Sequence, residues 1–192
     1  MQTDTPQSTR EQIVAAADLL FYQQGFETTS FADIAAAVNI SRGNFYYHFK
    51  TKDDILDAVI ELRLANTRAM LEQWEQEGAQ PQERIRCFIQ ILIANQAKIL
   101  LYGCPVGTLT SELAKLNHQA LDRASEVFTL FRTWLRQQFQ AMGHRKDADE
   151  LAMHVLARSQ GIATLASAFH DEKFIRQEVK LLCQWLQQYT DS

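Results

Sequence analysis

Apolar residues recur along this chain at the three- and four-residue intervals of a helix, and the apolar/polar alternation of a strand is nearly absent. Ser8 followed by Glu11 has capping-box spacing, and the helix it starts carries Ile13, Ala17, Leu20 and Phe21 to a stop at Gly25. Ser30 with Asp33 opens a short helix through Ile34 and Val38, and Ser41 opens another. Thr51 with Asp54 then caps a long helix through Leu56, Val59 and Ile60 to Trp74. Beyond Gly78 and Pro81 one helix is predicted from Pro81 to Tyr102, where "GCPVG" breaks it, and a short helix follows. The next has its apolar side at Leu121, Ala124, Phe128, Phe131, Leu135, Phe139 and Met142 and ends at Gly143. The last two, 147–169 and 172–189, carry wide apolar faces through Leu151, Val155, Ile162 and Ala166, and through Phe174, Leu181, Leu182, Trp185 and Leu186. The expected fold is all-α, with three short helices in a domain over residues 1–50 and a larger helical domain over 51–192.

Composition sharpens this picture. A chain of 192 residues, 46% hydrophobic and 22% charged, is long enough to bury a core and too apolar to be disordered. The formal net charge of −4 excludes general adhesion to nucleic acid or an anionic membrane, so any such contact must come from a local patch. Cys87, Cys104 and Cys183 are widely spaced and show no CxxC pairing, which reads as reduced thiols in a cytoplasm. The opening "MQTDTPQS" has no apolar core, so no signal peptide is expected, and no stretch is long and apolar enough for a membrane span. No cofactor is called for, and His118, His144, His154 and His170 lack metal-ligand spacing.

Local chemistry concentrates in "SRGNFYYHFKTKDD", Ser41–Asp54, where four aromatic rings occupy five positions between basic residues. On a helical wheel at about 100° per residue, Phe49 falls beside Phe45, and this pair turns inward toward Ile34, Val38, Ile40 and the first helix. Gly43 and Tyr47 fall on the far side, with Asn44 near them and Tyr46 and His48 on the flanks. Two short helices with a break at Asn39 and Ile40 make a helix-turn-helix, whose second helix enters the major groove of DNA. The residue types suit that task. Gly43 lets the backbone approach a base edge, Arg42 offers a bidentate donor to guanine, and Asn44 pairs with adenine or a phosphate. Tyr46, Tyr47, His48 and Lys52 donate to phosphates, while Ser41 caps its own helix. Asp53 and Asp54 oppose the dipole at the start of the next helix.

The run from Thr9 to Leu56 resembles the N-terminal domain of the TetR family of bacterial transcriptional regulators. The match rests on the Gly25–Ser30 step, on Ile34-Ala35, on Ser41-Arg42-Gly43, and on Tyr46-Tyr47-His48-Phe49-Lys50-Thr51-Lys52. The resemblance implies DNA-contacting positions at Thr29, Ser41, Arg42, Gly43, Asn44, Tyr46, Tyr47, His48 and Lys52. It also implies a homodimer that binds a palindromic double-stranded operator, usually represses, and is released by a small-molecule effector held in the C-terminal domain.

The second half offers less. Phe88, Leu92, Cys104, Leu109, Phe128, Phe131, Trp134 and Arg158 are candidates to line an effector cavity among the central helices, and the last two helices are candidates for a four-helix dimer interface. Cys104 lies near the start of a helix, whose dipole would favour its thiolate, so a thiol-based sensor is the alternative to a reversible apolar effector. A cysteine-dependent enzyme, with Cys104 as nucleophile and His118 or His154 as base, is the remote third reading, and it lacks an orienting group.

Overall fold

The computed structural model describes residues 8–189; the polar opening stretch read above lies, but for Ser8, outside the described residues. Ten helices and no strand appear among the described residues: α1 (Thr9–Gln24), α2 (Phe31–Ala37), α3 (Arg42–His48), α4 (Lys52–Glu77), α5 (Pro81–Ala94), α6 (Gln96–Tyr102), α7 (Pro105–Lys115), α8 (Leu121–Ala141), α9 (Ala148–Phe169) and α10 (Glu172–Gln187). The all-α class follows from the sequence as expected. No single helix among the described residues is long and apolar enough to cross a membrane.

The chain forms two compact units. The first runs through Ala65 and takes in Thr108–Ala124; the second holds Asn66–Gly107 and the chain from Ser125 onward. Helices α4, α7 and α8 therefore each have one part in each unit.

Local capping builds the first unit as its sequence implies. Ser8 and Ser30 each accept from the backbone three residues on, while Glu11 and Asp33 reach back to the serine amides at 2.8 Å. Thr51 and Asp54 do the same at the start of α4, with Asp54 N–H donating to Thr51 Oγ1 at 3.0 Å and its carboxylate accepting from the Thr51 amide at 2.9 Å. Asn39 makes the turn between α2 and α3 with φ +54°, a left-handed conformation that asparagine tolerates. Ile13, Ala17, Ile34, Phe45, Phe49, Ile55 and Leu56 then close the core.

These caps carry an acid signature. Hydrogen bonds from Ser8, Ser30 and Thr51 hold the carboxyls of Glu11, Asp33 and Asp54 below their ordinary values. A carboxylate whose folded pKa is depressed stabilises the fold above its unfolded pKa of about 4, and that contribution is lost as pH falls through the folded value. The urea midpoint is expected to hold on acidification from neutrality to about pH 5 and to fall below about pH 4, less steeply in Asp33→Asn and Asp54→Asn variants. A midpoint insensitive to pH across that range would contradict the role given to the caps.

In the second unit α10 packs on α5 and α9, and α9 on α6. Ile85, Ile89, Leu135, Phe139, Ala152, Val155, Ala166, Ile175 and Leu186 are fully buried there. The single helix expected from Pro81 to Tyr102 is two. It breaks at Asn95, whose side-chain amide donates to Ile91 O at 3.0 Å, taking the carbonyl that the Asn95 N–H also uses. An asparagine that bonds its own backbone competes with helix propagation.

Candidate nucleic-acid interface

The turn of α3 sorts the aromatic stretch into two faces. Phe45 and Phe49 are 1% and 2% exposed, whereas Tyr47 is 78% and Tyr46 46% exposed. Ser41, Arg42, Gly43 and Asn44 are exposed and His48 is half-buried. Phe45 is walled by Phe31 at 5.1 Å, and Phe31 also meets Tyr46 edge-on at 5.5 Å. Tyr47 and His48 meet edge to face at 5.1 Å. Ser41 Oγ accepts from the Asn44 N–H at 3.3 Å, so the hydroxyl caps the helix and leaves the next residues free of that duty.

Gly43 sits at the middle of the outward face, and a β-carbon built there would meet nothing within 4 Å. Among the described residues no neighbour requires glycine at this place. Arg42 and Tyr46, with Ser30, Phe31, Ala32, Ala35 and Phe45, line a hollow of about 280 Å³ between α2 and α3. Phe31, which directly follows the Ser30 cap, adds a ring to this hollow that helical periodicity does not assign to the inward stripe; its only signal in the sequence is a large ring at a helix start.

Two expected contact residues also have partners inside the fold. Thr29 is 1% exposed, with its hydroxyl donating to Gly25 O at 2.6 Å and accepting from Gln24 at 3.3 Å, so its side chain is spent inside the fold. Lys52 is half-buried: its ammonium donates to the carbonyls of Phe26 and Glu27 at 3.0 and 2.9 Å and lies 4.5 Å from the Phe26 ring centre. A lysine has three donors, so one remains for another acceptor.

Of the expected effector-cavity residues, the second unit assembles six. Phe88, Leu92 and Trp134 belong to its core, with Phe128, Phe131 and Cys104 packed against it. Trp134 lies 5.7 Å from Trp74, Phe88 lies 5.2 Å from Phe131, and the Trp134 indole donates to Glu75 at 2.9 Å. The other two depart from the expectation. Leu109 is buried in the first unit, and Arg158 is an exposed residue paired with Glu178 across α9 and α10.

The half-buried Cys104 accepts at its sulfur from the Gly107 N–H at 3.5 Å. Burial pushes the thiols of Cys87 and Cys183 up, which keeps them protonated and poorly nucleophilic. Neither proposed base is poised for catalysis. The His154 ring is stacked on Trp185 at 4.4 Å, and His118 accepts from the Ala120 N–H through Nδ1 while Nε2 lies 3.4 Å from Asp53.

Comparison with known proteins accords with this geometry. Residues 13–59 match the sequence profile of bacterial regulatory proteins of the tetR family, and residues 81–180 that of the C-terminal domain of LmrA/YxaF-like transcriptional regulators. An HTH-type transcriptional regulator from the lacX 3′ region of Lactococcus lactis subsp. lactis is 25% identical over 95% of each chain. The HTH-type transcriptional regulator AcrR of Shigella flexneri is 36% identical over 45% of this chain and 40% of its own. The crystal structure of a TetR transcriptional regulator from Legionella pneumophila superposes with a TM-score of 0.83 at 26% identity, over 96% of this chain and 98% of that one.

Proposed function

The chain belongs to the TetR family of bacterial transcriptional regulators, which are DNA-binding proteins and not enzymes, and on that premise we propose a repressor. It binds an inverted-repeat operator as a homodimer and leaves it when a small, mainly apolar effector occupies the second unit. Arg42 and Asn44 read base edges, Gly43 admits the backbone to them, and Ser41, Tyr46, Tyr47, His48 and the remaining donor of Lys52 hold phosphates. The observation that carries this reading is the outward face of α3, where a largely exposed ring, a glycine without internal cause and an arginine stand together.

A two-fold assembly is supported by α9. Met153, Ala157, Gly161, Leu165, Ala168 and Phe169 are exposed along it at helical spacing, and Phe169 is 73% exposed. Leu181 adds an exposed apolar residue on α10. A pair of such helices meeting its symmetry mate forms a four-helix seam. The ring cluster of Phe88, Phe128, Phe131 and Trp134 supports an apolar effector, which acts only by binding the released conformer more tightly than the DNA-bound one.

The test is a gel shift with a duplex carrying the DNA upstream of the protein's own gene. Binding should be dimeric and fall steeply with salt, as phosphate contacts release counterions. Gly43→Ala separates the reading from a structural role for this glycine. Alanine is worth up to about 1 kcal/mol more than glycine inside a helix, and the site is open, so stability should hold or rise. Affinity for the duplex should nevertheless drop about tenfold or more, the new methyl standing where a base edge would approach. Unchanged binding by Gly43→Ala would remove this face of α3 from the interface.

A further inference from the structure

We infer that Glu112, on α7, is a positioning residue for DNA binding: its carboxylate holds one side of the turn between α1 and α2 while Lys52 holds the other, and together they set the helix-turn-helix. The inference rests on the regulator reading above. Glu112 Oε2 accepts from the Phe26 N–H and Oε1 from the Glu27 N–H, both at 2.9 Å, across 86 and 85 positions of sequence. The carbonyls of those same two residues accept from Lys52 Nζ at 3.0 and 2.9 Å. The Phe26–Glu27 peptide thus has an anion at its N–H and a cation at its C=O, both aligned with its dipole, and bonds to charged groups are about twice as strong as neutral ones.

The neighbouring residues are fitted to this clamp. Gly25 has φ +93°, and a β-carbon there would stand 3.0 Å from Glu112 Oε1 and 3.2 Å from Oε2, crowding the carboxylate. Lys52 opens α4 directly after the α3 helix and its short turn, and Thr29, at the end of the clamped turn, leads into the Ser30 cap of α2. His118, just beyond α7, meets the Phe26 ring edge-on at 5.3 Å and reaches Asp53 with Nε2. One turn thus ties α7 to the ends of α1, α2 and α4. The mechanism of capping and hydrophobic closure described above does not use Glu112 at all.

The sign of the effect distinguishes positioning from simple charge. A carboxylate in a DNA-binding unit repels phosphates, so its removal by Coulomb's law alone would tighten binding. Loss of the clamp does the opposite. Full-length Glu112→Gln, which keeps the side chain's volume, and Glu112→Ala are titrated with the duplex from upstream of the gene over a range of KCl concentrations. Amide hydrogen exchange and thermal melting are recorded on the same proteins. The expected result is about tenfold weaker binding for Glu112→Gln and a larger loss for Glu112→Ala. The log–log salt slope should stay that of the wild type, because no phosphate contact is removed. Exchange at the Phe26 and Glu27 amides should accelerate while Ile13 and Ala17 in α1 stay protected. Where Glu112→Ala does not fold, Glu112→Gln carries the test. Equal or tighter DNA binding by folded Glu112→Gln, or unchanged exchange at Phe26 and Glu27, overturns the inference while leaving the regulator reading intact. A wild type that binds no DNA overturns the regulator reading and the positioning role with it.

Discussion

Replacing Phe45 with alanine is expected to lower the stability of the first unit by about 3–5 kcal/mol and to abolish DNA binding at temperatures where the wild type binds. The ring is 1% exposed and lies between Phe31 at 5.1 Å and Tyr46 at 6.2 Å. Its removal leaves a cavity under a helix of seven residues, which has too few turns to hold itself by backbone hydrogen bonds alone. The loss is also functional, because Tyr46 is oriented by the same two phenylalanines. Urea unfolding and the gel shift together check it, and Phe45→Leu, which refills much of the space, should recover most of both. Full DNA binding by folded Phe45→Ala would show that α3 is held by other contacts.

Trp134→Ala is expected to cost the second unit about 3–5 kcal/mol, the other large effect in the molecule. The indole is 5% exposed, packs 5.7 Å from Trp74 and donates to Glu75, so truncation loses burial, ring contact and a hydrogen bond at one position. An apolar cavity stays dry and accepts a small aromatic molecule, so added indole should restore part of the lost melting temperature. The same variant should respond poorly to an apolar effector that uses the ring cluster. A melting temperature equal to the wild type's would place the indole outside the core and remove the basis for that cluster as an effector site.

How much of this was legible in the chain follows from the distance over which each interaction acts. The capping pairs Ser8/Glu11, Ser30/Asp33 and Thr51/Asp54 span three residues, so spacing alone revealed them and with them the starts of α1, α2 and α4. Helical periodicity likewise separated Phe45 and Phe49 from Tyr46 and Tyr47, since the two faces of one short helix depend only on residue order. Asn95 was less visible, because whether an asparagine caps its own backbone or points to solvent depends on what the helix is packed against.

Tertiary structure alone decided what distant residues do to one another. Thr29 and Lys52 stood in a contact motif, but whether a hydroxyl or an ammonium faces outward depends on carbonyls that only folding brings within 3 Å: Gly25 O at 2.6 Å for Thr29, Glu27 O at 2.9 Å for Lys52. Arg158 was open between a cavity residue and an exposed charge on an apolar helix, and only α10 supplied its partner Glu178. Glu112 had no signal in the sequence, since a glutamate on a helix is ordinarily a solvated charge and its two partners lie 86 and 85 residues earlier. Periodicity and capping are local and are written in residue order. The pairing of Glu112 and Lys52 on one turn is set by how α7 and α4 pack in the first unit, and it was decided only when the chain had folded.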